Sequence, residues 1–121
     1  MAKTILVVDD SSTMRQMVNF SLAAAGYGVV EAADGVQALA KAGSQKIDAV
    51  ITDLNMPNMD GLQLARQLRA SPTHRFTPIV LLTTESRPEK KMEAKAAGVT
   101  GWIVKPFLPE QLLTVIKRVC P

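Results

Sequence analysis

The chain is poor in several things, and each shortage closes off a class of protein. It has one cysteine and one histidine in 121 residues. A lone thiol forms no internal disulfide, so this is not a stapled secreted scaffold. Cys120 is expected to be a half-buried small apolar residue in the last helix. No stretch approaches the roughly 18 apolar residues of a membrane-spanning helix, so no membrane insertion is expected. The N-terminus MAKTILVVDD has one lysine and then a run of only five residues, Thr4–Val8, that two acids close. That is too short for a secretory signal, and a cytoplasmic location is the expectation. The glycines of a P-loop or a dinucleotide fingerprint are absent. The net charge is +3, but the basic residues are spread over the second half rather than packed into one tract. They read as solvated helix faces plus one interaction surface, not as a nucleic-acid site.

What is present is a series of short apolar runs. Thr4–Val8 has no period-two alternation and reads as a strand buried on both faces. Ser11, Ser12 and Thr13 offer a helix N-cap, Met14, Met17, Val18, Ser21, Leu22 and Ala25 follow at helical spacing, and Gly26 closes the helix. Gly28–Ala32 is a weaker strand, suited to an edge. Asp34-Gly35 opens a helix with Val36, Leu39 and Ala40 on one face. Asp48–Asp53 is the next strand, and Leu62, Leu64, Ala65 and Leu68 mark a helix that ends before Ser71-Pro72. A polar loop, 71–77, holds His74, expected to be exposed. Pro78–Leu82 is a buried strand, 87–97 a charged helix, Gly101–Val104 the last strand and 109–119 the last helix. Strands alternating with helices over the whole length, one domain in size, give a parallel sheet with helices on both faces. Right-handed crossovers place every strand C-terminus on one edge, where ligand sites of open sheets lie.

The first polar residues at that edge are Asp9, Asp10, Asp53, Thr83 and Lys105. If the first and third strands are neighbours, three carboxylates converge within about 5 Å. Such charges repel and raise one another's pKa unless a cation compensates. A hard divalent ion with oxygen ligands fits best, Mg2+ foremost, and the absence of His or Cys nearby argues against zinc. Lys105 starts about two strand spacings, roughly 10 Å, from the third strand, and its side chain is long enough to bring its charge back toward Asp53. A single acid in such a place would be a helix cap, as Asp34 and Asp60 are expected to be, or a turn residue like Asp48 on the opposite edge. Three acids with a hydroxyl and an ammonium suit phosphoryl transfer to Asp53, with the metal, Lys105 and the Thr83 hydroxyl as partners of the phosphoryl oxygens. A mononucleotide site is the rival on such a sheet, but Asp9 and Asp10 would repel a preformed phosphate.

At these residues the sequence resembles the receiver domains of bacterial two-component response regulators, of the stand-alone chemotaxis CheY type. The resemblance spans residues 1–121 and rests on Val7-Val8-Asp9-Asp10-Ser11, Asp53-Leu54-Asn55-Met56-Pro57 with Asp60-Gly61, Leu82-Thr83-Thr84-Glu85, and Gly101-Trp102-Ile103-Val104-Lys105-Pro106-Phe107. It implies a flavodoxin-like (βα)5 fold with strand order 2-1-3-4-5, the order known for flavodoxin and CheY. It implies that Asp53 takes a phosphoryl group from a histidine kinase. Asp10, Asp53 and the backbone carbonyl of Asn55 would bind Mg2+ directly, with Asp9 assisting or acting through water. Lys105 would pair with Asp53 or its phosphoryl group, Thr83 would move to hydrogen-bond it, and Lys105-Pro106 would be cis. The domain would catalyse its own phosphorylation from small donors and its own slow dephosphorylation, and is otherwise not an enzyme. A monomer is expected, with a downstream target such as a flagellar motor switch protein and a phosphatase as further partners.

Two positions depart from the best-known chemotaxis pattern. Trp102 stands where the aromatic switch residue is usually Tyr or Phe, and Thr84 where many members have Ala or Gly. A β-branched Thr84 would narrow the path of water or a phosphatase to an acyl phosphate. The output face of the family joins the fourth helix to the fifth strand and helix. Here Lys91, Lys95 and Trp102 would make it basic and aromatic, suited to an acidic peptide. The fourth helix, anchored by Met92 and alanines, should be held weakly. Non-flagellar outputs, such as type IV pilus control or a phosphate sink or relay, stay open beside the motor. So, more distantly, does a mononucleotide- or metal-binding enzyme on the same fold.

Overall fold

The computed structural model describes residues 2–120, so the expected range 1–121 runs one residue past it at each end. In chain order the elements are β1 (Thr4–Val8), α1 (Ser12–Ala24), β2 (Gly28–Ala32), α2 (Gly35–Ser44), β3 (Ala49–Thr52), α3 (Gly61–Ala70), a 3-10 turn (Pro72–His74), β4 (Ile79–Thr83), α4 (Pro88–Ala96), β5 (Gly101–Val104) and α5 (Pro109–Val119). The strands form one parallel sheet in the order β2-β1-β3-β4-β5. This is the doubly wound flavodoxin-like arrangement that the resemblance implied.

The uniformly apolar strands serve two cores at once. Successive side chains of a strand point to opposite faces. Leu6, Val8, Val50, Ile79 and Leu81 therefore pack with Ala38, Leu64, Leu68 and Ala94 of α2, α3 and α4. Ile5, Val7, Ile51, Val80, Leu82 and Ile103 pack with Val18 and Leu22 of α1 and Leu112 and Ile116 of α5. Each fully buried aliphatic side chain contributes about 1.5–3 kcal/mol of transfer free energy. Both faces are thus needed to hold the edge that carries the acids.

Several expectations about faces need correction. In α2 the buried residues are Gly35, Ala38 and Ala42, while Val36 is 54% exposed and Ala40 is on the surface. Met59 lies so close to Gly35 that a side chain at 35 would collide with it, so this inward position takes only glycine. In α1 only Val18 and Leu22 are buried, and Met17 is exposed with Phe20. Met92 does not anchor α4: it is 73% exposed, and Ala94 and Ala97 make the contact. His74 is not an exposed loop residue but is 4% exposed. Its ring nitrogens lie 2.8 Å from the Ala42 carbonyl and 3.0 Å from the Thr77 hydroxyl, linking the 3-10 turn to α2. Asp48 is more than a turn residue, since its carboxylate accepts the Thr4 backbone N–H at 2.8 Å and fixes the start of β1. Cys120 is buried just beyond α5, as its C-cap. Asp34 and Asp60 do cap α2 and α3.

Candidate functional site

Parallel pairing brings the ends of β1, β3, β4 and β5 side by side, and the ladder continues one residue past them. The Asp9 N–H donates to the Ala32 carbonyl at 3.1 Å, Asp53 to Val8 at 2.9 Å and Lys105 to Thr83 at 2.8 Å. The backbones of both acids and the lysine are therefore fixed by the sheet, which leaves only their side-chain torsions free.

Asp9 is 3% exposed, Asp53 is half-buried and Asp10 faces solvent. Each offers a carboxylate oxygen, and these oxygens lie within 4.8 Å of one another. Lys105 crosses β4 as its length allows. Its Nζ sits 3.1 Å from Asp9 Oδ2 and 3.5 Å from Asp53 Oδ2. It is thus shared, and nearer to Asp9 than to the Asp53 partner expected. The other Asp9 oxygen accepts the Ser11 N–H at 2.9 Å, and Asp53 Oδ1 accepts the Leu54 N–H at 2.8 Å. Burial pushes the Asp53 carboxyl above its ordinary value. The Asp9 charge adds to this, while Lys105 and the Leu54 N–H oppose it without cancelling it.

Among the described residues this edge cluster is the acidic group with metal-ligand spacing. Its all-oxygen donor set fits a hard divalent cation with water completing the shell, Mg2+ in particular. Asn55 lies exposed in the following loop. That loop is held from both sides. The Asn58 amide donates to the Asp34 carboxylate at 3.0 Å from a left-handed backbone (φ 70°). At its far end Asp60 and Gln63 form a reciprocal capping box on α3. Gly61 is required there, because any Cβ would overlap the Asp53 carbonyl oxygen.

Thr83 is fully buried at the end of β4, one residue beyond the level of Asp53. Its hydroxyl accepts the Glu85 N–H at 3.1 Å. Lys105-Pro106 is cis. Trp102 is half-buried against the α4 side of the core. Its indole Nε1 is buried with no hydrogen-bond partner among the described residues. Lys91 Nζ stands 5.9 Å from the ring centroid, in cation–π range. Lys91, Lys95 and Trp102 border one cavity of about 310 Å3 between α4 and β5. So the expected metal and phosphoryl residues share one edge, and the expected partner residues share one neighbouring face.

Two residues of the site were not legible in the sequence. Gly61 reads as part of a turn, with no sign of its closeness to Asp53. Arg15 carries no sequence signal that sets it apart, yet its Nη1 donates to the Asp9 carbonyl at 2.6 Å.

Fold and edge together define an α/β domain of the flavodoxin-like type with an acidic, lysine-compensated pocket in place of a nucleotide loop. The family model of the response regulator receiver domain matches residues 5–117. The chain belongs to the response regulator receiver family. It is 39% identical over 116 residues to the chemotaxis protein CheY of Pseudomonas aeruginosa, covering 95% of this chain and 94% of that one. Its backbone superposes on the chemotaxis protein CheY4 of Vibrio cholerae with a TM-score of 0.95 at 51% identity, over 98% of this chain and 99% of that one. It also superposes on the receiver domain of a Pseudomonas aeruginosa sensor histidine kinase, a structure with magnesium coordinated in the active-site cleft. There the TM-score is 0.91 at 30% identity, over 99% of this chain and 98% of the other.

Proposed function

We propose that this chain, as one receiver domain over residues 1–121, is a cytoplasmic chemotaxis response regulator that accepts a phosphoryl group on Asp53. The observation that carries the reading is Lys105 Nζ within 3.5 Å of both Asp9 and Asp53, with three carboxylate oxygens clustered beside it. An Asp53 oxygen attacks the phosphorus of a phosphohistidine on the partner kinase, the N–P bond breaks, and the imidazole leaves. Asp10, Asp53 and the Asn55 carbonyl, with Asp9 assisting, would hold Mg2+, which would supply neutralising charge to the phosphoryl oxygens. Lys105 supplies the matching ammonium. The three acids, one divalent ion and Lys105 sum to zero formal charge, and a dianionic phosphoryl group upsets that balance.

The response passes to the Thr83 hydroxyl, which turns its O–H to donate to a phosphoryl oxygen, and to Trp102. The unpartnered indole N–H is a polar group held at a cost, so an alternative rotamer that satisfies it is within reach. The face of Lys91, Lys95 and Trp102 then presents a cation and an aromatic ring to an acidic segment of a downstream target. The similarity to CheY proteins makes a flagellar switch component the first candidate. Among the described residues no helix is long and apolar enough to cross a membrane.

The test is Trp102 fluorescence on addition of acetyl phosphate or beryllofluoride. A Mg2+-dependent change that Asp53→Asn abolishes is the expected result. Its absence in the unsubstituted protein would overturn the reading.

A further inference from the structure

α1 carries a polar network that reaches the site from behind. Arg15 and Asn19 are four residues apart and so share one face of the helix. That face looks onto β2, the edge strand. Arg15 Nε donates to Glu31 Oε1 at 3.1 Å, and Asn19 Nδ2 donates to Glu31 Oε2 at 2.9 Å. Both oxygens of Glu31 are thereby engaged, and Lys41 from α2 donates to the Glu31 backbone carbonyl. Helical side chains lean toward the N-terminus, which carries the Arg15 guanidinium back past the start of α1. There its Nη1 donates to the Asp9 carbonyl at 2.6 Å.

That carbonyl belongs to the peptide joining Asp9 to Asp10. The Asp9 N–H is already fixed on Ala32 and its carboxylate on Ser11 and Lys105. Asp10 has no such restraint: it is exposed, outside the strand, and none of its side-chain oxygens accepts a hydrogen bond among the described residues. Arg15 is the side chain that holds the carbonyl of that peptide, and it does so beside the turn in which Asp9 Oδ1 accepts the Ser11 N–H across Asp10. We infer that the Asn19–Glu31–Arg15 network is a positioning device for the Asp10 carboxylate, holding the Asp9-Asp10 peptide in the orientation that divalent-cation binding needs. The inference rests on the metal-assisted reading given above.

Charge and positioning pull in opposite directions here, which makes the idea testable. Arg15 is a cation close to a cation site, so by charge alone its removal would tighten Mg2+ binding. As a positioning group its removal loosens binding, and an outer partner of a metal site is typically worth about tenfold or more in affinity. The experiment is calorimetric titration of the full chain with MgCl2, without phosphodonor, for the unsubstituted protein, Arg15→Gln, Arg15→Lys and Glu31→Gln. Thermal melting of each confirms that it is folded.

Arg15→Gln should weaken Mg2+ binding about tenfold. Arg15→Lys, which keeps the charge and loses the two-sided fork, should weaken it as well. Glu31→Gln keeps Arg15 and frees it from its anchor, so a smaller loss is expected, and it tests the network even where Arg15→Gln does not fold. Unchanged or tighter binding in Arg15→Gln and Arg15→Lys would overturn the inference and leave the functional reading standing. If the unsubstituted protein binds no Mg2+, the functional reading falls and this inference with it.

Discussion

Two helices lie on the same face of the sheet and are held in different ways. α3 buries Gly61, Leu62, Leu64, Ala65 and Leu68, and a capping box closes its first turn. α4 buries Ala94 alone within its length; Arg87 stands at its N-cap, where no side chain caps the helix, and its first helical residue is Pro88. Leucines bring far more apolar area to a contact than alanine, at roughly 25 cal/mol per Å2. The difference follows the division of labour in the site. α3 starts eight residues after Asp53 and Gly61 abuts its carbonyl, so any movement of α3 would move the acid. α4 follows Thr83 and borders Trp102, the two groups expected to move. An element that must shift is drawn from the weakly held part of a structure.

The sharpest way to break the comparison is a large deletion in α3. Leu64→Ala should cost about 2–5 kcal/mol in urea unfolding, the range for emptying a packed leucine site. A loss below 1 kcal/mol would mean α3 is no better anchored than α4. Gly61→Ala comes next. Its Cβ meets the Asp53 carbonyl, backbone that cannot yield cheaply, and overpacking of this kind costs about 1–3 kcal/mol. Because the displaced group is the site itself, the same variant should lose Mg2+ affinity, which fluorescence titration of Trp102 would show.

The sheet was legible from residues because each strand is apolar without alternation, a pattern that only a doubly covered strand explains. The acids and Lys105 were legible because they cluster where such runs end. Helix faces were less so. In α2 the sequence puts Val36, Leu39 and Ala40 forward. Leu39 does pack against the core, but Val36 and Ala40 face out. The buried positions are Gly35, Ala38 and Ala42, with Met59 packed so close to Gly35 that nothing larger fits there. His74 sits in a polar stretch, and the partner that buries it, the Ala42 carbonyl of α2, comes from tertiary contact, which no local pattern reveals. Arg15 escaped for the same reason: its contacts to Asp9 and Glu31 depend on β2 lying beside β1. Met92 misled because a methionine in an alanine-rich helix is the obvious anchor, and here the alanines lie closer to the sheet.

A smaller effect concerns the charge that α3 holds in place. The Asp53 carboxyl titrates above its ordinary value of 3.8, chiefly through burial. The folded state therefore binds this proton more tightly than the unfolded state does. Its contribution to stability is present below the unfolded value and is lost as pH rises through the folded one. At neutral pH without Mg2+ the ionised Asp53 is a net cost, and Asp53→Asn should raise the unfolding midpoint. The gain should shrink as pH falls toward 3.8. A gain that stays constant across that window would mean the charge of Asp53 is not what destabilises the fold.

The smallest effect tests α4 directly. Met92 is 73% exposed, so Met92→Ala removes almost no buried area, and alanine is the better helix former. Unfolding free energy should change by less than about 0.5 kcal/mol in either direction, as for surface positions away from special features. A loss of 1 kcal/mol or more, read from the same urea titration as Leu64→Ala, would show Met92 buried in solution. α4 would then sit lower on the sheet, closing the space between it and β5 that Lys91, Lys95 and Trp102 border. The contrast between an anchored α3 and a loosely held α4 would lose its basis, because both would rest on large apolar side chains.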